Sequence, residues 1–182
     1  MSRCPTCGEI HDLSGVELAC DRPEAYFAIP ETERDARIIA SDAGVVIDPN
    51  TPNARFFRRG VLVLPIIGDS TRDGFGWGLW VEVTAAGFAR MVDVDDSPTR
   101  ALERPFLGRL ANELPPFPGS FGLRVLLRLQ PLDLGPLVEI VDDDNALGRA
   151  QRTGVFPEDV VEWVFPVVHP RATNQDPPPN ER

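Results

Sequence analysis

Apolar and polar residues alternate with period two over three stretches of this chain, and each stretch predicts a β-strand. In residues 56–64 the aromatic, basic and aliphatic positions divide between two faces, with Arg58 and Arg59 on opposite sides. In residues 75–83 one face carries Phe75, Trp77, Leu79, Val81 and Val83 and belongs in a core. The other face carries Gly76, Gly78, Trp80 and Glu82 and reads as a shallow surface that exposes backbone beside a tryptophan. The cleanest alternation is in residues 121–130, with Phe121, Leu123, Val125, Leu127 and Leu129 on one side, before Pro131 ends it. Residues 44–48 and 137–141 predict two shorter strands, the first stopped by Pro49-Asn50.

Helical spacing appears elsewhere. Residues 22–41, with Pro23 at a first turn and charges at helical intervals, predict one or two short helices broken by Pro30. Thr84 is a natural N-cap for residues 84–92, where Phe88 and Val92 stand four apart. The acidic residues 93–96 then read as a solvated loop, and Asp142, Asp143 and Asp144 suit the positive end of a helix over residues 146–153. Residues 158–165 fit a helix or a strand equally well. Beyond Pro166 the composition cannot bury enough surface to offset ordering entropy, so a disordered tail over residues 167–182 is expected. The elements together predict one α+β domain over residues 21–166, with a largely antiparallel sheet and flanking short helices, preceded by an arm of residues 1–20.

That arm holds an N-terminal cysteine knuckle, Cys4-Pro5-Thr6-Cys7-Gly8, followed by His11. Two thiolates two residues apart, with a glycine after the second, can wrap one metal ion. A structural zinc held by Cys4, Cys7 and two of His11, Cys20 or a distant residue is the leading reading. The alternatives are reduced thiols with no metal and a redox pair, the latter lacking the preceding strand that such pairs use. Catalytic zinc fits less well, because the ligands lie in a terminal turn and not in a cleft.

Composition narrows the partners. A formal charge of -10 opposes attraction to nucleic acid or anionic lipid. All 18 basic residues are arginines, which removes Schiff-base chemistry and the phosphate-loop lysine. Three cysteines cannot all pair, no secretory leader pattern opens the chain, and its longest apolar run, residues 60–67, is too short to span a bilayer, so a cytoplasmic protein is expected. The chain has no Gly-x-Ser-x-Gly elbow, and Gly74-x-Gly76-x-Gly78 lies within a strand, unlike a dinucleotide fingerprint. The residues leave the oligomeric state open.

Two surfaces stand out. Asp42, Arg58, Arg59, Arg124, Arg128 and Glu139 could line an arginine and carboxylate pocket, with Trp80 exposed nearby; the competing view matches each arginine to a local acid. Pro115, Pro116, Phe117 and Pro118 form an apolar loop that either packs on the core or presents a partner surface. The resulting expectation is a noncatalytic domain that binds another protein, and the alternative is an enzyme or small-ligand binder using the arginine and carboxylate pocket.

The order of motifs resembles a family of small bacterial proteins known as a domain of unknown function. The resemblance rests on Cys4, Cys7, Gly8 and His11, then Arg34 and Arg37, Asp42, Phe57-Arg58-Arg59-Gly60, Trp77-Gly78-Leu79-Trp80, Leu114-Pro115, and Pro136 with Glu139. It runs from about Cys4 to Trp163 and implies a fold without implying an activity. Gly44 stands where the family has a cysteine, and Asn145-Ala146-Leu147 where it has His-Pro-Leu. The resemblance therefore implies a metal site that is incomplete here, with Cys20 as a substitute ligand or the site vestigial.

Overall fold

Two long strands dominate the computed structural model, which describes residues 2–3, 10–11, 17–68, 74–142 and 144–168. In chain order the elements are β1 (Ser2–Arg3), β2 (Ile10–His11), β3 (Leu18–Ala19), α1 (Glu24–Phe27), α2 (Glu31–Arg37), β4 (Ile38–Ala40), β5 (Gly44–Ile47) and β6 (Arg55–Leu64). They continue with β7 (Phe75–Val83), α3 (Ala85–Val94), β8 (Phe106–Leu110), β9 (Arg124–Arg128), β10 (Leu137–Ile140), α4 (Ala146–Thr153) and α5 (Pro157–Val168).

The five strands β6 to β10 close on themselves. Each pairs antiparallel with the next, and β10 returns to lie parallel to β6 through Leu137↔Val61 and Val138↔Leu62. The parallel pair is a consequence of parity, since the last strand of a five-strand up-and-down meander must run the same way as the first. Closure removes edges that would otherwise template aggregation. β5 and β4 extend the outer edge of β6, and β3 lies parallel on β7 at Leu18↔Trp77 and Ala19↔Gly78.

The barrel interior takes the face that carries Leu62, Leu64, Trp77, Leu79, Val81, Leu110, Val125, Leu127 and Val138. Met91 and Val94 of α3, with Leu147, Val160 and Val164 of α4 and α5, complete this core. Two interior positions have no room for a side chain. A Cβ on Gly60 would stand 2.7 Å from Val138 Cγ2, and one on Gly108 would meet Val81 Cγ1 and come within 2.7 Å of the Glu82 carbonyl.

A second, smaller core overturns the expectation for Trp80. That side chain is fully buried with Ile29, Val45, Ile47, Phe57 and Ala111 on the outer face of β6 and β7. The segment through α1 lies over it: the Trp80 indole N–H donates to the Cys20 carbonyl at 3.1 Å, and the Arg22 guanidinium sits 5.7 Å from its ring. A strand with both faces covered does not separate polar from apolar positions, which is why glycines and a tryptophan share one side.

Other boundaries shift for local reasons. Pro23 and Pro30 stand at the N-caps of α1 and α2, and the chain then turns into β4 where residues 38–40 were expected to be helical. Thr84 caps α3 as expected, its Oγ1 accepting from the Gly87 N–H at 3.1 Å. α3 continues into the supposed loop, as far as Val94. β8 was not anticipated. β9 is shorter than its alternation suggests, because Gly122 adopts φ 80° and Phe121 lies exposed in the turn before it. Asn145, not the preceding aspartates, caps α4 through the Gly148 N–H at 2.7 Å. The ambiguous residues 158–165 are helical, within α5, so the helix enters the stretch assigned to the tail. The rest of that tail, residues 169–182, lies outside the described residues.

Gly108→Ala should lose about 1–3 kcal/mol of stability from overpacking. Gly135→Ala, whose new methyl would meet only Val61 Cγ2 at 3.6 Å, should change little; urea denaturation of both variants checks the contrast.

Candidate functional site

The predicted site residues divide into two groups. Arg124 and Arg128 are exposed and matched to local acids: Arg124 donates through Nε and its backbone N–H to Asp142, each at 2.7 Å, and Arg128 Nε donates to Glu139 at 2.6 Å. These two arginines and Glu139 therefore follow the competing reading of surface ion pairs. Asp142 is held below its ordinary range first by the Arg124 backbone N–H and then by the guanidinium.

Asp42, Arg58 and Arg59 do come together, at a split in the sheet. The outer edge of β6 pairs with β5 as far as Arg58 and with β10 from Val61 onward. Between these two partners the strands diverge. One lip is tied by the Arg59 N–H to the Ala43 carbonyl at 3.0 Å, and the other by the Val61 N–H to the Pro136 carbonyl at 2.8 Å. A cleft of about 300 Å³ opens on the Arg59 side, lined by Glu17, Asp42, Arg59, Gly78 and Pro136. Gly78 leaves room there for arginine and for β3, since a Cβ would lie 3.3 Å from Arg59 Nη2 and 3.2 Å from Ala19 Cβ. The glycine series in β7 is thus explained by what packs over it.

On the Arg58 side lies a neighbouring depression of about 530 Å³, past Asp95, Asp96, Arg100 and Asp133; Ala43, Arg58, Gly135 and Pro136 border both. Arg58 is buried, with 5% of its side chain exposed, and its Nη2 reaches both Asp95 oxygens at 2.9 Å. Asp95 is therefore a structural partner and not a solvated loop residue. Arg58 Nε is buried with no acceptor among the described residues, a state that costs about 1–3 kcal/mol. Arg100 is also buried, but it is fully engaged, donating to the carbonyls of Gln130, Asp95 and Leu134 at 2.7, 3.0 and 2.6 Å. Sequence reasoning missed Arg100 and Asp95 because their partners are backbone carbonyls and a residue 37 positions away.

A second, larger depression lies on the other side of β7. It measures about 970 Å³ and runs between the proline-rich loop and α5, lined by Trp77, Pro115, Pro116, Phe117, Phe156 and Trp163, with Asp159 and Glu162 as its carboxylates. The expected alternatives for the loop are both realised: Phe117 is buried against the Trp163 ring at 5.4 Å, while Pro115 and Pro116 face the groove. Trp163 also packs on Phe75 and Trp77. Cys20 borders this groove. Burial, followed by the charges of Asp21 and Glu24, pushes its thiol up to about 11, against the opposing effect of the Trp77 indole N–H. At neutral pH it is a protonated thiol and a poor nucleophile.

Of the four predicted metal ligands, only Cys20 has a described side chain. Cys4 and Cys7 lie outside the described residues, and His11 is described as backbone in β2. Among the described residues no three His, Cys, Asp or Glu side chains are grouped to hold a metal, and no helix is long and apolar enough to cross a membrane.

The class this geometry defines is a mixed α+β domain built on a closed five-strand barrel, with one charged cleft and one apolar groove. The chain belongs to DUF2199, an uncharacterised protein family conserved in bacteria, whose model matches residues 3–155. No curated protein and no solved structure is significantly similar to it.

The groove's proline wall depends on Glu113. Its carboxylate accepts from the Phe121 N–H at 2.7 Å, the Gly119 N–H at 2.5 Å and Ser120 Oγ at 3.4 Å. These bonds, the Phe121 N–H foremost, hold its pKa below the ordinary 4.5. A folded-state pKa that is depressed adds stability that is present above the unfolded value and lost as pH falls through the folded one. Glu113→Gln should therefore be less stable than the parent chain at neutral pH, with the gap closing once the solution is acid enough to protonate Glu113 in the folded parent chain. Denaturant titrations at neutral and acid pH measure that gap.

Proposed function

We propose that this protein is a noncatalytic bacterial domain, acting in the cytoplasm, that binds an apolar segment of a partner protein in the groove between the proline-rich loop and α5. The observation that carries the reading is the composition of this depression: the four aromatic rings of Trp77, Phe117, Phe156 and Trp163, three prolines, and carboxylates as its only formally charged groups. Prolines have little conformational freedom to lose, so Pro115 and Pro116 present a wall that is already ordered before binding. Asp159 and Glu162 favour a segment with a flanking arginine or lysine, in keeping with the formal charge of -10. Exposed Phe156 and Val167 extend the apolar lining to the rim.

Trp77 and Trp163 report occupancy by fluorescence. Short apolar synthetic peptides with an arginine flank should bind about tenfold more tightly than the same peptides with a glutamate flank, and Glu162→Arg should reverse that order. Binding that ignores the flank, or no response from any peptide, refutes the reading.

A structural zinc in the arm belongs to the same proposal. The ladder Ser2↔His11 and Arg3↔Ile10 draws together the ends of the stretch that contains Cys4 and Cys7, which supports a site formed by these cysteines with His11 or Cys20. Protein from zinc-supplied cells should carry about one zinc per chain by elemental analysis, lost in Cys4→Ser. Zinc-free protein from those cells removes the site.

A further inference from the structure

We infer that the split between β5 and β10 is a second binding site, one for a small zwitterion bearing both a carboxylate and an ammonium group, of which free amino acids are the simplest case. The inference starts from how charge is layered by depth. Arg58 and Arg100 form the floor and are 4% and 8% exposed, with Arg59 half-buried on the opposite face of β6. Glu17, Asp42, Asp96 and Asp133 are all exposed and form the rim. A dianion such as phosphate meets four carboxylates on the way in, and a simple cation meets arginines at the bottom. A molecule with its negative end inward and its positive end outward satisfies both layers.

An independent observation at the floor is a buried donor left without a partner among the described residues. Arg100 uses its nitrogens on backbone carbonyls and Asp95, whereas Arg58 engages Asp95 through Nη2 and keeps a buried Nε without an acceptor among the described residues. A ligand carboxylate would give this Nε the charge-assisted hydrogen bond it lacks. The cleft's size agrees with a small ligand: about 300 Å³ on the Arg59 side and 530 Å³ on the Arg58 side fit an amino acid and not a folded partner. Gly135, where a Cβ would meet only Val61 Cγ2 at 3.6 Å, keeps the backbone approachable at the lip.

Isothermal titration of the full chain with a panel of free α-amino acids tests this, with the N-acetyl and the carboxamide derivative of each as the decisive comparison. At least one amino acid should bind with a Kd of about 1 mM or better, and both of its derivatives about tenfold or more weakly, since each lacks one of the two charges. Asp42→Asn and Arg59→Gln should each weaken that binding by a similar factor with the urea midpoint unchanged, while Glu162→Arg, which alters the groove alone, should leave it intact. Failure of every amino acid to bind at about 10 mM overturns the inference. So does an N-acetyl or amide derivative that binds as well as its parent, or binding that survives in the two cleft variants while Glu162→Arg removes it.

Discussion

The structure depends on the ladder between β6 and β7, whose nine consecutive pairs run from Phe56↔Val83 to Leu64↔Phe75. Both strands are longer than the partners on their far edges, and buried backbone groups must find partners along their whole length. Each strand therefore hands its outer edge from one neighbour to another. β7 passes from β8, which ends with the Ala111 N–H on the Trp80 carbonyl at 2.8 Å, to β3, which ends with the Cys20 N–H on the Gly78 carbonyl at 2.8 Å. β6 passes from β5 to β10 at Arg59 and Gly60. Both depressions follow from these exchanges. The charged cleft lies where β6 changes partner, and the groove is bounded by the β3 residues that take over the edge of β7.

Much of this frame was legible as alternation. The span of β7 was read to the residue, that of β6 to within one, and the Thr84 cap was plain, because each depends on local spacing. Closure was not legible. It is set by the long-range pairing of β10 with β6, for which a linear pattern carries no signal, and β8 was missed because Pro105 stands just before it and Gly108 interrupts its five residues. Trp80 was misplaced for a related reason: a period of two tells that its face differs from the other but not that a second layer covers it. The cover is built from α1, β5 and Ala111, segments far apart in the chain.

The site was half legible for an electrostatic reason. Arginine on an alternating strand announces a polar face, yet its role depends on which carboxylates arrive from elsewhere. For Arg124 and Arg128 the acids come from β10 and the residues just after it, a neighbouring strand, and both pairs sit at the surface where water screens them. For Arg58 the acid arrives from the end of α3 and the pair is buried, so the same residue type becomes part of the interior wall of a cleft.

The absence of lysine sharpens this distinction. A guanidinium has donors in a planar fork, so Arg100 can bind the carbonyls of Gln130, Leu134 and Asp95 at once and pin two loops beside the cleft. An ammonium in that position could not span carbonyls on both loops from one planar head. Rigid loops held by buried arginines fix the distance between the floor of the cleft and its acidic rim, and a fixed distance is what allows opposite charges on one small molecule to be recognised together.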